Sequence, residues 1–462
     1  MAGSSRWFVA LFVLAGAASG VSVGNDGKGG LGSTGPKGDW LRDWYDTRNA
    51  IIESTPELVY DPTSLMVRFT PDSGEAEREV IRTLLGARVI ETYDLVPGLE
   101  HLTSTLDVQT AIDLASGVGG AAGVVEFAEV DFILRADLTP NDTYYSLEWG
   151  LNNTGQTVAG DPGTNNCDID APAAWDLTTG SSAVVIGCID TGIRKTHEDL
   201  SANIWTNPGD STVNGVDNDG NGYRDDTWGW NFYANTNNPN DDNGHGSHTA
   251  GTVGAQGNNG KGVAGVAWNC KLAALKFLGS TGSGSTSGAI AAINYCVGKG
   301  IKVSNNSWGG PGSSSLSTAI SNARAAGHLL VVAAGNSGVN IDTSPTYPAS
   351  YTYDNIISVA AVNNDFGRAS FSNYGASSVD LGAPGVMVAS CYNSSNSAYV
   401  YMDGTSMATP HVTGVAALVW SRYPSWTYAQ VRSRILSTVR PAASLSGKCT
   451  TGGVLNAANA VQ

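Results

Sequence analysis

Five short apolar runs, at residues 183–189, 272–277, 301–304, 329–334 and 356–360, constrain this chain more than any other feature. All but the shortest, residues 301–304, are essentially continuous rather than alternating, and Ala-rich stretches of helical length separate them. A strand with one wet face alternates apolar and polar residues, whereas an unbroken run marks a strand covered on both faces. Such strands, joined by helices, make an α/β fold: a parallel sheet flanked by helices. The composition sustains that core, with 41% hydrophobic and only 14% charged residues. Global disorder is excluded.

The chain before about residue 140 has a different texture. Residues 7–18 (WFVALFVLAGAA) are apolar, follow Arg6 and run into small residues. The stretch is too short for the ~20 residues of a spanning helix but fits the ~7–15 of an export signal. Residues 1–19 therefore read as a signal peptide and the protein as secreted, with no membrane span. Residues 20–56 read as a Gly-rich linker. After them come a strand at 64–69, a helix at 75–85, two strands within 88–102, a helix at 105–116 and a strand at 124–134. That β-α-β-β-α-β order predicts a small α+β ferredoxin-like domain over residues 57–138. It carries 15 acidic against 5 basic residues. The five apolar runs all fall in the remainder, residues 139–462.

Four segments of that remainder place a reactive side chain at the end of a predicted element. The first run leads directly into Asp190, and open α/β sheets hold their sites at the carboxyl ends of strands. DDNGHGSHTAG (241–251) puts His245 at a helix start between Gly244 and Gly246, which let backbone approach the imidazole. His248 is its rival, but H-x-x-H lacks the Glu of a zinc-protease helix. DGTSMATPHVTG (403–414) puts Ser406 at a helix N-terminus, where orphan N–H groups favour developing negative charge. LLVVAAGNSG (329–338) reads as a buried strand ending in Asn336, an amide donor. Singly these read as a turn Asp, a structural His, an N-cap Ser and a turn Asn. Together they supply orienting acid, base, nucleophile and oxyanion donor, the set that acyl transfer needs.

The order Asp…His…Ser differs from the Ser…Asp…His of lipase-type hydrolases and the His…Asp…Ser of chymotrypsin-type enzymes. The blocks VVIGCIDTGI, NGHGSHTAGTVGA, VSNNSWGG, VVAAGNSG and GTSMATPHVTGVAAL resemble, in order, the signatures of the subtilisin-like serine endopeptidases. Sedolisins replace the His with Glu, which His245 argues against. The resemblance implies that Asp190 orients, His245 is the general base, Ser406 the nucleophile and Asn336 the oxyanion donor; His248 and His411 fall at non-catalytic positions. It implies that peptide substrates bind as an added strand between Gly282, Ser283, Gly284 and Ser307, Trp308, Gly309. An uncharged pocket between 307–309 and 333–336, with Thr346 near its base, implies an apolar P1 residue. The acidic leader resembles the family's inhibitory propeptide, removed by self-cleavage near Leu138.

DNDGNGYRDD (217–226) alternates carboxylate and amide oxygens with Gly at the sixth place, as calcium loops do. Its candidate ligands are Asp217, Asp219, Asn221, Tyr223, Asp225 and Asp226. The twelfth position is Trp228, so this is no EF-hand. Asp199 matches a second family calcium ligand, but residues 257–265 are too short for the loop that completes that site. No organic cofactor is expected. Six cysteines, an even number in an exported chain, point to disulfides, although Cys188 suits a buried thiol equally well. A net charge of −16 disfavours nucleic acid as a partner. Two rivals remain: a peptide-binding pseudoenzyme of the same fold, and a secreted calcium-binding adhesion module.

Overall fold

The computed structural model describes residues 39–55, 58–120, 122–133 and 139–462. The expected signal peptide, the cleavage point near Leu138 and the last residue of the expected strand at 124–134 lie outside them. The chain divides into two compact units, Met1–Leu134 and Arg135–Gln462.

The first unit opens with helix α1 (Asp39–Ser54), followed by β1 (Tyr60–Phe69), α2 (Glu75–Leu85), β2 (Val89–Thr92), β3 (Leu99–Thr103), α3 (Val108–Leu114) and β4 (Val125–Phe132). The helix α1 corrects the linker expected over 20–56: its sequence, DWLRDWYDTRNAIIES, has no glycine and buries Leu41. The strands form an antiparallel sheet in the order β2-β3-β1-β4, the arrangement of a ferredoxin-like unit. Leu65, Val67 and Phe69 of β1 pack with Ile81 and Leu85 of α2 and Val108 and Ala111 of α3.

The second unit starts with a short hairpin, β5 (Thr157–Val158) and β6 (Asp161–Pro162), then α4 (Ala171–Trp175). Its central strands are β7 (Val185–Asp190), β8 (Gly229–Asn231), β9 (Lys271–Lys276), β10 (Val303–Asn306), β11 (Leu329–Ala333), β12 (Ile356–Val362) and β13 (Leu381–Pro384). Between them run α5 (His245–Gly254), α6 (Thr286–Gly298) and α7 (Ser314–Ala325). The hairpin β14 (Val388–Tyr392) and β15 (Ala398–Met402) leads into α8 (Thr405–Arg422) and α9 (Tyr428–Ser437). The last elements are β16 (Arg440–Pro441), β17 (Gly453–Val454) and α10 (Ala457–Val461). The nine-stranded sheet runs β16-β17-β13-β12-β11-β10-β7-β9-β8, parallel except for the β16–β17 pair.

All five apolar runs became strands of this sheet, and β10 to β13 are buried along their whole length. Two clusters cover its faces, one around Val253, Val412 and Val415 and the other around Ile293, Leu316 and Ile320. Side-chain caps start α6 and α7, where Ser285 and Ser313 accept from Gly288 N and Leu316 N. From β7 the sheet grows outward through β9 and β8 on one side and through β10 on the other. That reversal of strand order makes the carboxyl end of β7 the crevice of the fold.

The cysteines do not form the expected disulfides; all six are free. Five are buried, in a core that packs them as small apolar side chains. Burial pushes the Cys270 thiol up to about 11.

Candidate active site

Asp190 ends β7 fully buried. Its Oδ1 accepts from Thr191 N at 2.7 Å and lies 2.7 Å from His245 Nδ1, while Oδ2 accepts from Thr249 Oγ1 at 3.2 Å. A carboxylate only accepts, so Nδ1 carries the proton and Nε2 is the basic nitrogen. Burial works against an imidazolium here, but the charge and hydrogen bond of Asp190, with Asp241 adding to them, hold the His245 pKa above its usual 6.5.

Two glycines allow this approach. A Cβ on Gly246 would lie 2.2 Å from Gly192 O, and one on Gly244, at φ +113°, would lie 2.2 Å from the Tyr392 ring. Asp241, not singled out from sequence, knits the corner together. Its Oδ1 accepts from Thr191 Oγ1, Asn243 N and Gly244 N, and its Oδ2 from Ser247 N and Ser247 Oγ. D-x-x-G before a helix was the available signal.

Ser406 stands in the first turn of α8. Pro410, inside that helix, has no N–H to give the carbonyl four residues back. Ser307 Oγ takes its place, donating to Ser406 O at 2.8 Å, and Ser406 Oγ donates to Ser307 O at 3.2 Å. The nucleophile candidate is thus tied to a predicted substrate segment. Asn336 Oδ1 accepts from both Thr405 N and Thr405 Oγ1 at 2.8 Å, which leaves its Nδ2 amide as the donor for a ligand.

His245 and all six predicted substrate residues, Gly282 to Gly284 and Ser307 to Gly309, line one cavity of about 420 Å³. Ser406 and Asn336 line an adjoining recess of about 470 Å³ with Trp308, Gly309, Ala333 and Thr346. No charged side chain lines that recess. A larger cavity, about 830 Å³, lies beside the acidic loop and holds none of the four reactive candidates.

His248 and His411 are buried and structural. His248 Nε2 lies 3.0 Å from Val388 O and His411 Nδ1 lies 2.9 Å from Met407 O. Burial lowers their pKa values to about 3 and about 4.

The acidic loop does not gather all its predicted ligands. Asp219 meets the Lys299 ammonium and Asn207 Nδ2, and Asp226 meets Asn207, Asn221 and the Tyr295 hydroxyl. Asp217 accepts from the backbone of Gly220, Asn221 and Gly222, and Asp225 from that of Asn214 and Gly215. Tyr223 packs against Trp230 and Tyr295. Among the described residues, only Asp61, His101 and Asp131 bring three acidic or imidazole ligand atoms within 4.8 Å of one another. One observation nevertheless fits a cation. Asp210 beside the loop is fully buried, takes Asp225 N on Oδ2 at 2.9 Å, and leaves Oδ1 unpaired. Asp199 already accepts from Asn259 Nδ2, Val263 N and Tyr399 OH.

The model of the subtilase family, Peptidase_S8, matches residues 181–458, which contain Asp190, His245, Asn336 and Ser406. The chain belongs to the subtilase family. Thermitase of Thermoactinomyces vulgaris is 37% identical to this subtilase over 328 residues, 70% of this chain and 99% of the relative. Subtilisin DY of Bacillus licheniformis is 45% identical over 172 residues, 37% of this chain, and the match spans only 61% of that relative. Among solved structures, a protease of Pseudoalteromonas arctica PAMC 21717 is 36% identical, with a TM-score of 0.56, over 70% of this subtilase and 99% of that chain.

Proposed function

We propose that this subtilase is a secreted serine endopeptidase, made as a zymogen, that cuts extended peptide segments through an acyl-enzyme. The 2.7 Å contact between Asp190 Oδ1 and His245 Nδ1 carries the reading, because it fixes the tautomer in which Nε2 takes a proton. In the reaction Ser406 Oγ attacks the scissile carbonyl carbon as its proton passes to His245 Nε2. The oxyanion that forms is met by Asn336 Nδ2 and the backbone N–H of Ser406, one of the orphan donors that begin α8. His245 then gives the proton to the leaving amine, the C–N bond breaks, and water hydrolyses the acyl-Ser406 ester by the same route in reverse.

The uncharged recess beside Ser406 supports an apolar P1 residue, and the adjoining cavity supports binding of preceding residues between Gly282–Gly284 and Ser307–Gly309. The ferredoxin-like unit supports the role of inhibitory propeptide, with self-cleavage near Leu138. Calcium is proposed as a structural ion at the acidic loop, for which the unpaired Asp210 Oδ1 is the support. When bound it supplies charge neutralisation, not chemistry.

Wild type and Ser406→Ala, compared by intact mass and fluorophosphonate labelling, test the whole reading. Labelled wild type shortened near Leu138, beside unlabelled full-length Ser406→Ala, is expected. Wild type that is freed of its leader, supplied with calcium and still unlabelled would overturn it.

A further inference from the structure

Lys276 ends β9 with its side chain only 2% exposed. Lysine is almost never buried so fully without partners, and here the ammonium has three. Nζ donates to Thr191 O, Leu278 O and Asp242 Oδ1, each at 2.7 Å. The first is the carbonyl immediately after Asp190. The second belongs to the residue that pairs in antiparallel fashion with Gly284 of the substrate edge. Both Phe277 N and Leu278 N also donate to Asp190 O, at 3.0 and 3.3 Å. Asp242, half exposed, holds the ammonium from the solvent side.

We propose that Lys276 is a positioning residue that fastens the main chain of the catalytic acid to the main chain of the substrate edge. The inference rests on the peptidase reading above. Backbone hydrogen bonds in a parallel pair fix the register of β7 and β9, but beyond residues 190 and 276 the two chains diverge, one toward His245 and one toward Gly282–Gly284. Two donors of one buried ammonium, to Thr191 O and Leu278 O, close that fork. An ammonium suits the task because its donors point to separated acceptors, where a guanidinium would address a single planar partner. With the fork closed, a peptide seated along Gly282–Gly284 presents its scissile bond in register with the triad. A misplacement of about 1 Å there costs on the order of 10²-fold.

The test uses mature enzyme, with active sites counted by fluorophosphonate labelling. It reads the ratio of kcat/KM for a tetrapeptide anilide to kcat/KM for a single-residue ester. In Lys276→Met the ratio falls by about tenfold or more, because only the extended substrate uses the braced edge. Lys276→Arg recovers part of it. Asp242→Ala, a change at a half-exposed carboxylate that leaves the core intact, lowers the ratio roughly two- to threefold. Lys276→Met with a lower melting temperature and a wild-type ratio would assign the lysine a purely structural role and overturn the proposal. If Lys276→Met yields no folded enzyme, Asp242→Ala decides, and a wild-type ratio there overturns it equally. Wild type that cleaves neither substrate marks failure of the peptidase reading instead.

Discussion

His328 offers a clean measure of what burying a neutral imidazole does to this fold. It precedes β11, is 1% exposed and lies apart from the triad. Its Nδ1 donates to Ile301 O at 2.7 Å, so Nε2 must accept from Ser304 Oγ at 2.8 Å. Asn306 Nδ2 already donates to that same hydroxyl at 2.9 Å. A second proton on Nε2 would take the hydroxyl's other lone pair and leave its O–H without the acceptor it has here, and burial pushes the pKa down to about 4 even though Ile301 O favours the charged form. The unfolded chain titrates near 6.5. Between those values the unfolded state binds the extra proton, so this stability is complete above about pH 6.5 and is lost as pH falls toward 4. At pH 5 the loss from His328 alone comes to about 2 kcal/mol. His248 and His411 act in the same direction, while Glu148 and Asp168, whose pKa values burial raises, oppose them. The test is therefore a difference. Urea unfolding of Ser406→Ala, with and without His328→Gln, is measured at pH 8 and pH 5. The variant is less stable at pH 8 but loses about 2 kcal/mol less on going to pH 5. Equal losses in the two proteins would refute the reasoning.

Asn336→Ala is expected to lower kcat by about 10²–10³ with little change in KM, a magnitude whose standard worked case is the same side-chain donor in a subtilisin; stopped-time peptide assays give both constants. The acid limb of kcat/KM has its midpoint above pH 6.5, because Asp190 holds the imidazolium. Asp190→Asn moves that limb down and lowers kcat by roughly 10⁴, and a pH–rate profile reads both. Gly246→Ala places a Cβ 2.2 Å from Gly192 O and drives α5 off Asp190; kcat/KM falls by tenfold or more, measured per labelled active site. Calcium at about 100 times its Kd stabilises by about 2.7 kcal/mol, seen as a higher melting temperature than in chelator, and Asp210→Asn removes the gain.

What the sequence made legible was what chemistry or packing forces into a local pattern. Five short apolar runs locate the middle of the parallel sheet, whereas β13, with Leu381 and Ala383 among Gly and Pro, carries too little periodicity in four residues to stand out. Helix α1 directly follows a Gly-rich stretch, whose composition masks the change to charged and aromatic residues that contain no glycine. Cysteine parity pointed to bridges that a well-filled core does not need. In the acidic loop, composition located the oxygens but not their aim. Backbone amides of the tight turns satisfy Asp217 and Asp225, while Asp210, from the preceding turn, is the carboxylate left with an unpaired oxygen.

The four candidate side chains stand out for a further reason: nucleophile, base, acid and amide donor are each specified by residue type, so substitution would erase the chemistry. The groups that hold them are specified differently. Asp241 and Lys276 act mainly on amides, carbonyls and hydroxyls, which any neighbouring sequence supplies, so no spacing announces them. In LAALKF a lysine after an apolar run reads as the solvated end of a strand. Only the pairing of β7 with β9, which sets residue 276 opposite residue 190, turns that surface reading inside out. A strand end is ordinarily where a sheet meets water. Here the carboxyl ends of β7 and β9 meet at the crevice of the fold, and the lysine buried there finds two of its three partners in the main chain.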